Sequence, residues 1–223
     1  MSVSHHLADE TLQDYAAGSL SAPMETLVAC HLTVCQHCRM RAATAESVGG
    51  TLFDSLEVAD VRMSAAQLLS KAQSDIGDIV GVAGSPTTES GTQVVSGVPR
   101  PLARLLPQRL ENLDWKRLAP GIKQHNLSDQ HRRHGAFKLL HLAPGVVLSA
   151  HSHNDRELTY VVKGSYQDEI GRFKAGDIAD LDGDVDHRPV VDTNEPCIAL
   201  IATHSPVRFT GMFGKIMQPF VGI

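Results

Sequence analysis

The chain has 223 residues, 42% hydrophobic and 20% charged, with 20 Lys and Arg against 25 Asp and Glu for a formal charge of -5. That is the make-up of an ordinary soluble protein with room for one large or two small domains. The acidic balance without clustered Lys and Arg excludes a nucleic-acid-binding stripe, no apolar run approaches membrane-spanning length, and the polar start from Met1 to Glu10 lacks the apolar core of a secretory signal.

Along the chain, helix comes first. From Asp9 to about Val80 apolar residues recur at three-to-four-residue intervals: Leu12, Tyr15, Ala16 and Leu20, then Leu27, Val28 and His31. Asp9 or Thr11 is placed to cap the first helix and Gly18 to end it, while Ser21 followed by Pro23 opens the second. A third helical stretch is expected to contain Leu52 to Leu56, and a fourth begins near Ser64 with Ala65, Leu68, Leu69 and Ala72. Residues 84–100 are rich in Gly, Pro, Ser and Thr, a linker composition. A short helix is expected around Leu102 to Leu110. Beyond it the texture is β: Phe137 to Leu142, Val146 to Ser149, Leu158 to Val162, Ser165 to Glu169, Ile178 to Leu181 and Cys197 to Ala202, separated by Gly and Asp/Asn turns. The expected architecture is therefore multidomain α + β: a small all-α bundle over 1–83, a flexible linker over 84–100 and an all-β sandwich or barrel over 101–223.

Each half carries a set of metal-ligand type. In the first, His31, Cys35 and Cys38 are four and seven apart, which on a continuous helix places them within about 40° of one another. Thiolates with imidazole suit a closed structural zinc site, and the upstream His5-His6 pair supplies the fourth ligand if the first two helices pack antiparallel. His6 is favoured, with His5 left open. Cys30 and His37 point elsewhere on the helix. The Cys-x-x-Cys lacks the βαβ setting of a redox pair, and Arg39 after it excludes haem attachment. Cys30 and Cys197 stand apart, so the four cysteines make no disulfide framework, and a reducing, cytoplasmic setting is expected.

The second set has no thiol. His151, His153 and Glu157 share strand parity, and His187 follows after a Gly- and Asp-rich return. Three imidazoles and one carboxylate accept zinc or another divalent transition metal and leave positions open for water, a peroxide or a small organic ligand. Arg156 and Tyr160 are candidate lining residues.

The His-x-His-x3-Glu with its later His resembles the cupin family over roughly Pro101 to Ile223, and the first half resembles zinc-binding anti-sigma domains. Together with Ser4-His-His-Leu-Ala-Asp-Glu-Thr-Leu, Tyr15-Ala-Ala-Gly18 and Val48-Gly-Gly50, the chain resembles the ChrR-type anti-sigma factors over nearly its whole length. The resemblance implies a zinc-binding helical bundle followed by a cupin jelly roll. It also implies a non-catalytic transcriptional regulator that inhibits an extracytoplasmic-function-type (ECF-type) sigma factor by covering its polymerase-binding surfaces, with the cupin domain mediating the response to singlet oxygen or organic hydroperoxides. Neither nucleic acid nor a membrane is an expected partner. Met24, Leu27, Leu52, Phe53 and Leu56 are candidates for an apolar docking face. Cys197 has no nearby second thiol, which argues against a local disulfide switch in the barrel. The competing reading is a metal-dependent cupin enzyme, a dioxygenase or isomerase, with regulatory helices.

Overall fold

The computed structural model describes residues 3–57, 63–72, 97–127, 135–148, 151–152, 156–181, 187–203 and 208–209, the pairs 151–152 and 208–209 as backbone alone. Helix α1 spans Asp9–Ala16, with Ala8 rather than Asp9 or Thr11 at its N-cap. Gly18, at φ +66, lets the chain turn off that helix, and the N–H groups of Ala17, Gly18 and Ser19 close back on the carbonyls of Gln13, Tyr15 and Asp14. Helix α2, Ala22–Val34, starts behind Ser21 with Pro23 in its first turn.

The helix expected to carry His31, Cys35 and Cys38 together is two helices. Helix α2 stops at Val34, Cys35 is extended at φ -102 and ψ 101, and helix α3 runs over Gln36–Asp54. Local chemistry explains the break. The Thr33 hydroxyl donates to the Cys30 carbonyl at 2.7 Å, a bond that loosens the last turn, and the Cys35 sulfur accepts the Cys38 N–H at 3.4 Å in the manner of an N-cap. Leu52 and Phe53 close α3 instead of opening a separate helix.

Residues 94–223 contribute a short helix α5, Arg100–Ala103, a single 3₁₀ turn at Leu110–Asn112, and the strands. The main sheet has six antiparallel strands: β1 (Lys116–Ala119), β2 (Ile122–Asn126), β3 (Phe137–Leu142), β9 (Cys197–Thr203), β5 (Glu157–Lys163) and β8 (Ile178–Leu181), in that spatial order. Two ribbons complete a cupin jelly roll: β6 (Ser165–Gln167) with β7 (Arg172–Lys174), and β4 (His151–Ser152) with β10 (Arg208–Phe209). Of the stretch expected as a strand at 146–149, the described residues 146–148 contribute an isolated bridge, Val147 to Val190.

Both faces of the six-stranded sheet are covered. Leu140, Leu142, Val161, Ala179 and Cys197 point into a core shared with Tyr166 and Phe173. Alternate residues, Leu139, Leu158, Tyr160, Val162, Leu200 and Ala202, belong to a second core with Leu12, Met24, Leu27 and Val28 of the helices and Leu102 of α5. Helix α2 packs directly on α5, β5 and β9. Residues 1–49 and 94–223 accordingly form one unit. Helix α2 is apolar around most of its circumference, burying Met24, Leu27, Val28, Cys30 and His31, and the sheet covers part of it. Met24 and Leu27 are therefore core, not docking face.

The second unit, residues 50–93, holds the end of α3 and helix α4 over residues 65–72. Ser64 and Gln67 form a reciprocal capping box at the start of α4, with bonds of 2.8 and 3.3 Å. Leu52, Phe53, Leu56 and Leu69 are each more than 60% exposed. Among the described residues no helix is long and apolar enough to cross a membrane.

Candidate metal centre

His6, on the extended segment before α1, His31, near the end of α2, Cys35, at the break, and Cys38, in the first turn of α3, bring one ligand atom each to within 4.8 Å of one another. The His31 Nε2 lies 3.3 Å from the Cys38 sulfur, and the His6 Nδ1 lies 3.3 Å from the Cys35 sulfur and 3.7 Å from that of Cys38. A tetrahedral zinc with bonds of about 2.0–2.1 Å to nitrogen and 2.3 Å to sulfur separates such ligands by roughly 3.6 Å. The four donors therefore fit zinc in kind, number and spacing. The His5 ring instead stacks on Phe173 at 3.9 Å with its Nδ1 3.5 Å from Asp177, so of the His5-His6 pair it is His6 that stands among the other three donors.

The electrostatics suit the same ion. Burial pushes the His31 imidazole down to about 4, leaving it a neutral donor at pH 7, and burial with a neighbouring His37 lowers His6 as well. Burial lifts the Cys38 thiol to about 11, so without a cation it keeps its proton. A divalent ion reverses that balance. The His31 Nδ1 sits 3.0 Å from the Gly176 carbonyl; donating there, it leaves Nε2 with its lone pair toward the sulfurs. His6 is the exposed member of the four, and its ring lies 4.8 Å from that of His37.

In the second half, the structure places Glu157 at the start of β5, buried, accepting the Thr159 hydroxyl at 3.0 Å. Burial pushes its carboxyl up to about 7 against the pull of His187, Thr159 and Lys138. His187 is also buried, its Nδ1 3.1 Å from an Asp168 carboxylate that is itself fully enclosed. Burial resists ionisation of Asp168, but bonds from His187, Gly171 and Ile170 prevail and hold it below the usual carboxylate range. His187 thereby acquires the outer partner typical of a metal-ligating imidazole. His151 is not on one strand with Glu157: it begins β4, paired to Phe209, while Glu157 opens β5. His153 lies outside the described residues. Tyr160 does not line this interior; three residues from Glu157, it falls on the opposite face of β5 and packs in the core with the helices. Arg156 instead pairs with Asp14 of α1 at 2.7 Å.

Sequence reasoning missed four residues. Asp168 had no signal tying it to His187 nineteen residues away. Gly176 and Asp177 read as a turn and nothing more. Lys138, buried beside Glu157 with its ammonium 3.1 Å from the Gln124 amide oxygen and lowered by burial to about 8, breaks the apolar run of β3, and that interruption was the available clue.

A family model described as the ChrR cupin-like domain matches residues 106–207. Anti-sigma-E factor ChrR of Cereibacter sphaeroides is 36% identical over 223 residues, covering 100% of both chains. A crystal structure of Rhodobacter sphaeroides SigE in complex with the anti-sigma ChrR matches with a TM-score of 0.71 at 32% identity, over 91% of this chain and 100% of that one.

Proposed function

The chain belongs to the ChrR family of anti-sigma factors, and on that premise we propose that it inhibits an ECF-type sigma factor in the cytoplasm until oxidative stress, singlet oxygen or organic hydroperoxides, sets that factor free. It acts as a regulator and not as an enzyme. The observation that carries this reading is the match over the full length to an anti-sigma-E factor, joined by the match over 91% of the chain to an anti-sigma ChrR in complex with SigE.

In this reading His6, His31, Cys35 and Cys38 hold zinc, which when bound ties the N-terminal segment to the α2–α3 junction. That junction aims α3, whose Met40, Val48, Leu52 and Phe53 are exposed apolar side chains, at the sigma factor. Leu56 extends the set. Repression is steric. His151, His153, Glu157 and His187 hold zinc or another divalent transition metal in the cupin interior, where a peroxide or small-molecule ligand is sensed, and Asp168 orients His187.

The test titrates the purified chain into transcription reactions driven by RNA polymerase with either Rhodobacter sphaeroides SigE or the ECF-type sigma factors of the chain's own genome. Wild type silences one of them, and His31→Ala or Cys35→Ser relieves that inhibition. Glu157→Ala keeps inhibiting but blunts induction by singlet oxygen or hydroperoxide in cells. Failure of wild type to bind any such sigma factor, at a stoichiometry where zinc is present, refutes the proposal.

A further inference from the structure

The four residues that form the zinc-type cluster all belong to the helical half, but the groups that hold two of them in place do not. The turn joining β7 to β8 does that work. The Asp177 side chain is fully enclosed. Its Oδ1 accepts the N–H groups of Ser4 at 2.6 Å and His5 at 3.2 Å, immediately before His6, while its Oδ2 accepts the Lys174 N–H at 3.0 Å. One residue earlier, the Gly176 carbonyl takes the His31 Nδ1 at 3.0 Å. The same two residues are locked to β5 from behind: Gly176 donates its N–H to the Val161 carbonyl at 2.9 Å, and the Asp177 carbonyl accepts the Val161 N–H at 3.0 Å.

The consequence for the ligands differs. His31 is buried, and its acceptor decides which ring nitrogen is free to coordinate. His6 is exposed on the extended segment before α1, between the Asp177-held N–H groups of Ser4 and His5 on one side and Leu7, buried and with its carbonyl accepting the Arg41 guanidinium at 2.9 Å, on the other, and ordering such a segment costs conformational entropy on every residue. A buried carboxylate collecting two successive N–H groups removes that freedom before the ion arrives. His5 adds to the hold, its ring lying on Phe173, which in turn stacks on Tyr166 at 5.0 Å inside the jelly roll.

We infer that Asp177 and the Gly176 carbonyl are positioning groups of the zinc centre, so that the cupin half sets how firmly the helical half keeps its metal. The inference rests on the zinc reading above and adds to it a physical link: the strand pair that carries Glu157, β5 with β8, begins at the turn that holds His6 and His31.

The experiment uses the full chain loaded with cobalt(II) and follows loss of the sulfur-to-cobalt absorption after adding excess EDTA, a signal confined to the thiolate site. Asp177→Ala is expected to speed that loss on the order of tenfold, and Ser4→Pro, which deletes one donor without touching the sheet, shifts it in the same direction. Asp177→Asn, which keeps Oδ1 as an acceptor, stays closer to wild type. Val191→Ala serves as the control, because it loosens the jelly-roll interior in a core that contains no helical residue. Release from Asp177→Ala and Ser4→Pro within about twofold of wild type overturns the inference, as does equal acceleration by Val191→Ala. A wild-type chain that never develops the thiolate absorption removes the zinc reading itself, a distinct and recognisable failure.

Discussion

Cys35 serves two masters. Its sulfur faces His6 at 3.3 Å and also accepts the Cys38 N–H at the start of α3. Serine preserves the second role, being a preferred N-cap, and abolishes the first. Metal-free Cys35→Ser is therefore expected to melt at or slightly above metal-free wild type, by up to about 1 kcal/mol, while losing all stabilisation by added zinc; a metal-free form that is strongly destabilised would mean the thiol packs in a way a hydroxyl does not replace. The remaining thiols behave differently. Burial pushes Cys30 and Cys197 up to about 12, so at pH 8 only on the order of one molecule in ten thousand carries either thiolate. Mass spectrometry after iodoacetamide treatment of the native chain should find both unmodified at pH 8, and Cys35 modified only once metal has been chelated, with Cys38 slow to react even then because burial holds its thiol at about 11. At this scale the grouping of His31, Cys35 and Cys38 was legible from spacing, with His6 only favoured over His5, yet for a partly mistaken reason. Helical periodicity brings His31, Cys35 and Cys38 to one face, but the helix breaks between the first and second of them, and convergence comes from the break.

Elements were legible where their chemistry is strong. Phe137–Leu142 and Ile178–Leu181 match their expected bounds because branched and aromatic residues end abruptly at turn residues. Strands β1, Lys-Arg-Leu-Ala, and β2, Ile-Lys-Gln-His-Asn, carry few such residues, and the pairing of β2 with β3 and of β1 with β2, rather than their own propensity, makes them strands. The connection from β5 to β6 is equally dependent on surroundings. Gly164 stands at φ +74, and a Cβ there would collide with the Pro196 carbonyl oxygen and meet the Cys197 Cα at 3.1 Å. Gly164→Ala combines backbone strain with a clash against main chain that cannot swing aside, and urea unfolding should register a loss of about 3 kcal/mol. A loss under about 1 kcal/mol would show that the β5–β6 turn and the start of β9 yield readily.

For the whole molecule, composition and motif suggested two halves, and family membership agrees with the pairing of a helical segment and a cupin. What sequence did not reveal is that α2 uses the sheet as its second wall. The linker composition of 84–100 carries no information on packing, whereas the shared core of Met24, Leu27, Leu158, Tyr160 and Leu200 is a matter of tertiary packing between residues well over a hundred positions apart. Such a core predicts a single cooperative calorimetric transition for residues 1–49 and 94–223, with calorimetric and van't Hoff enthalpies in agreement. Two resolved transitions, one moved by zinc and one not, would contradict it.

Strand β5 shows six consecutive enclosed positions, from Glu157 to Val162. An ordinary half-covered strand offers evolution a permissive side, on which polar replacements cost little. Here that side is missing, since odd positions serve the cupin interior and even positions serve the helices. A saturation library over these six codons should yield almost no neutral polar variants, and its survivors should sort by which of two phenotypes they spoil: stress responsiveness at 157, 159 and 161, sigma-factor restraint at 158, 160 and 162.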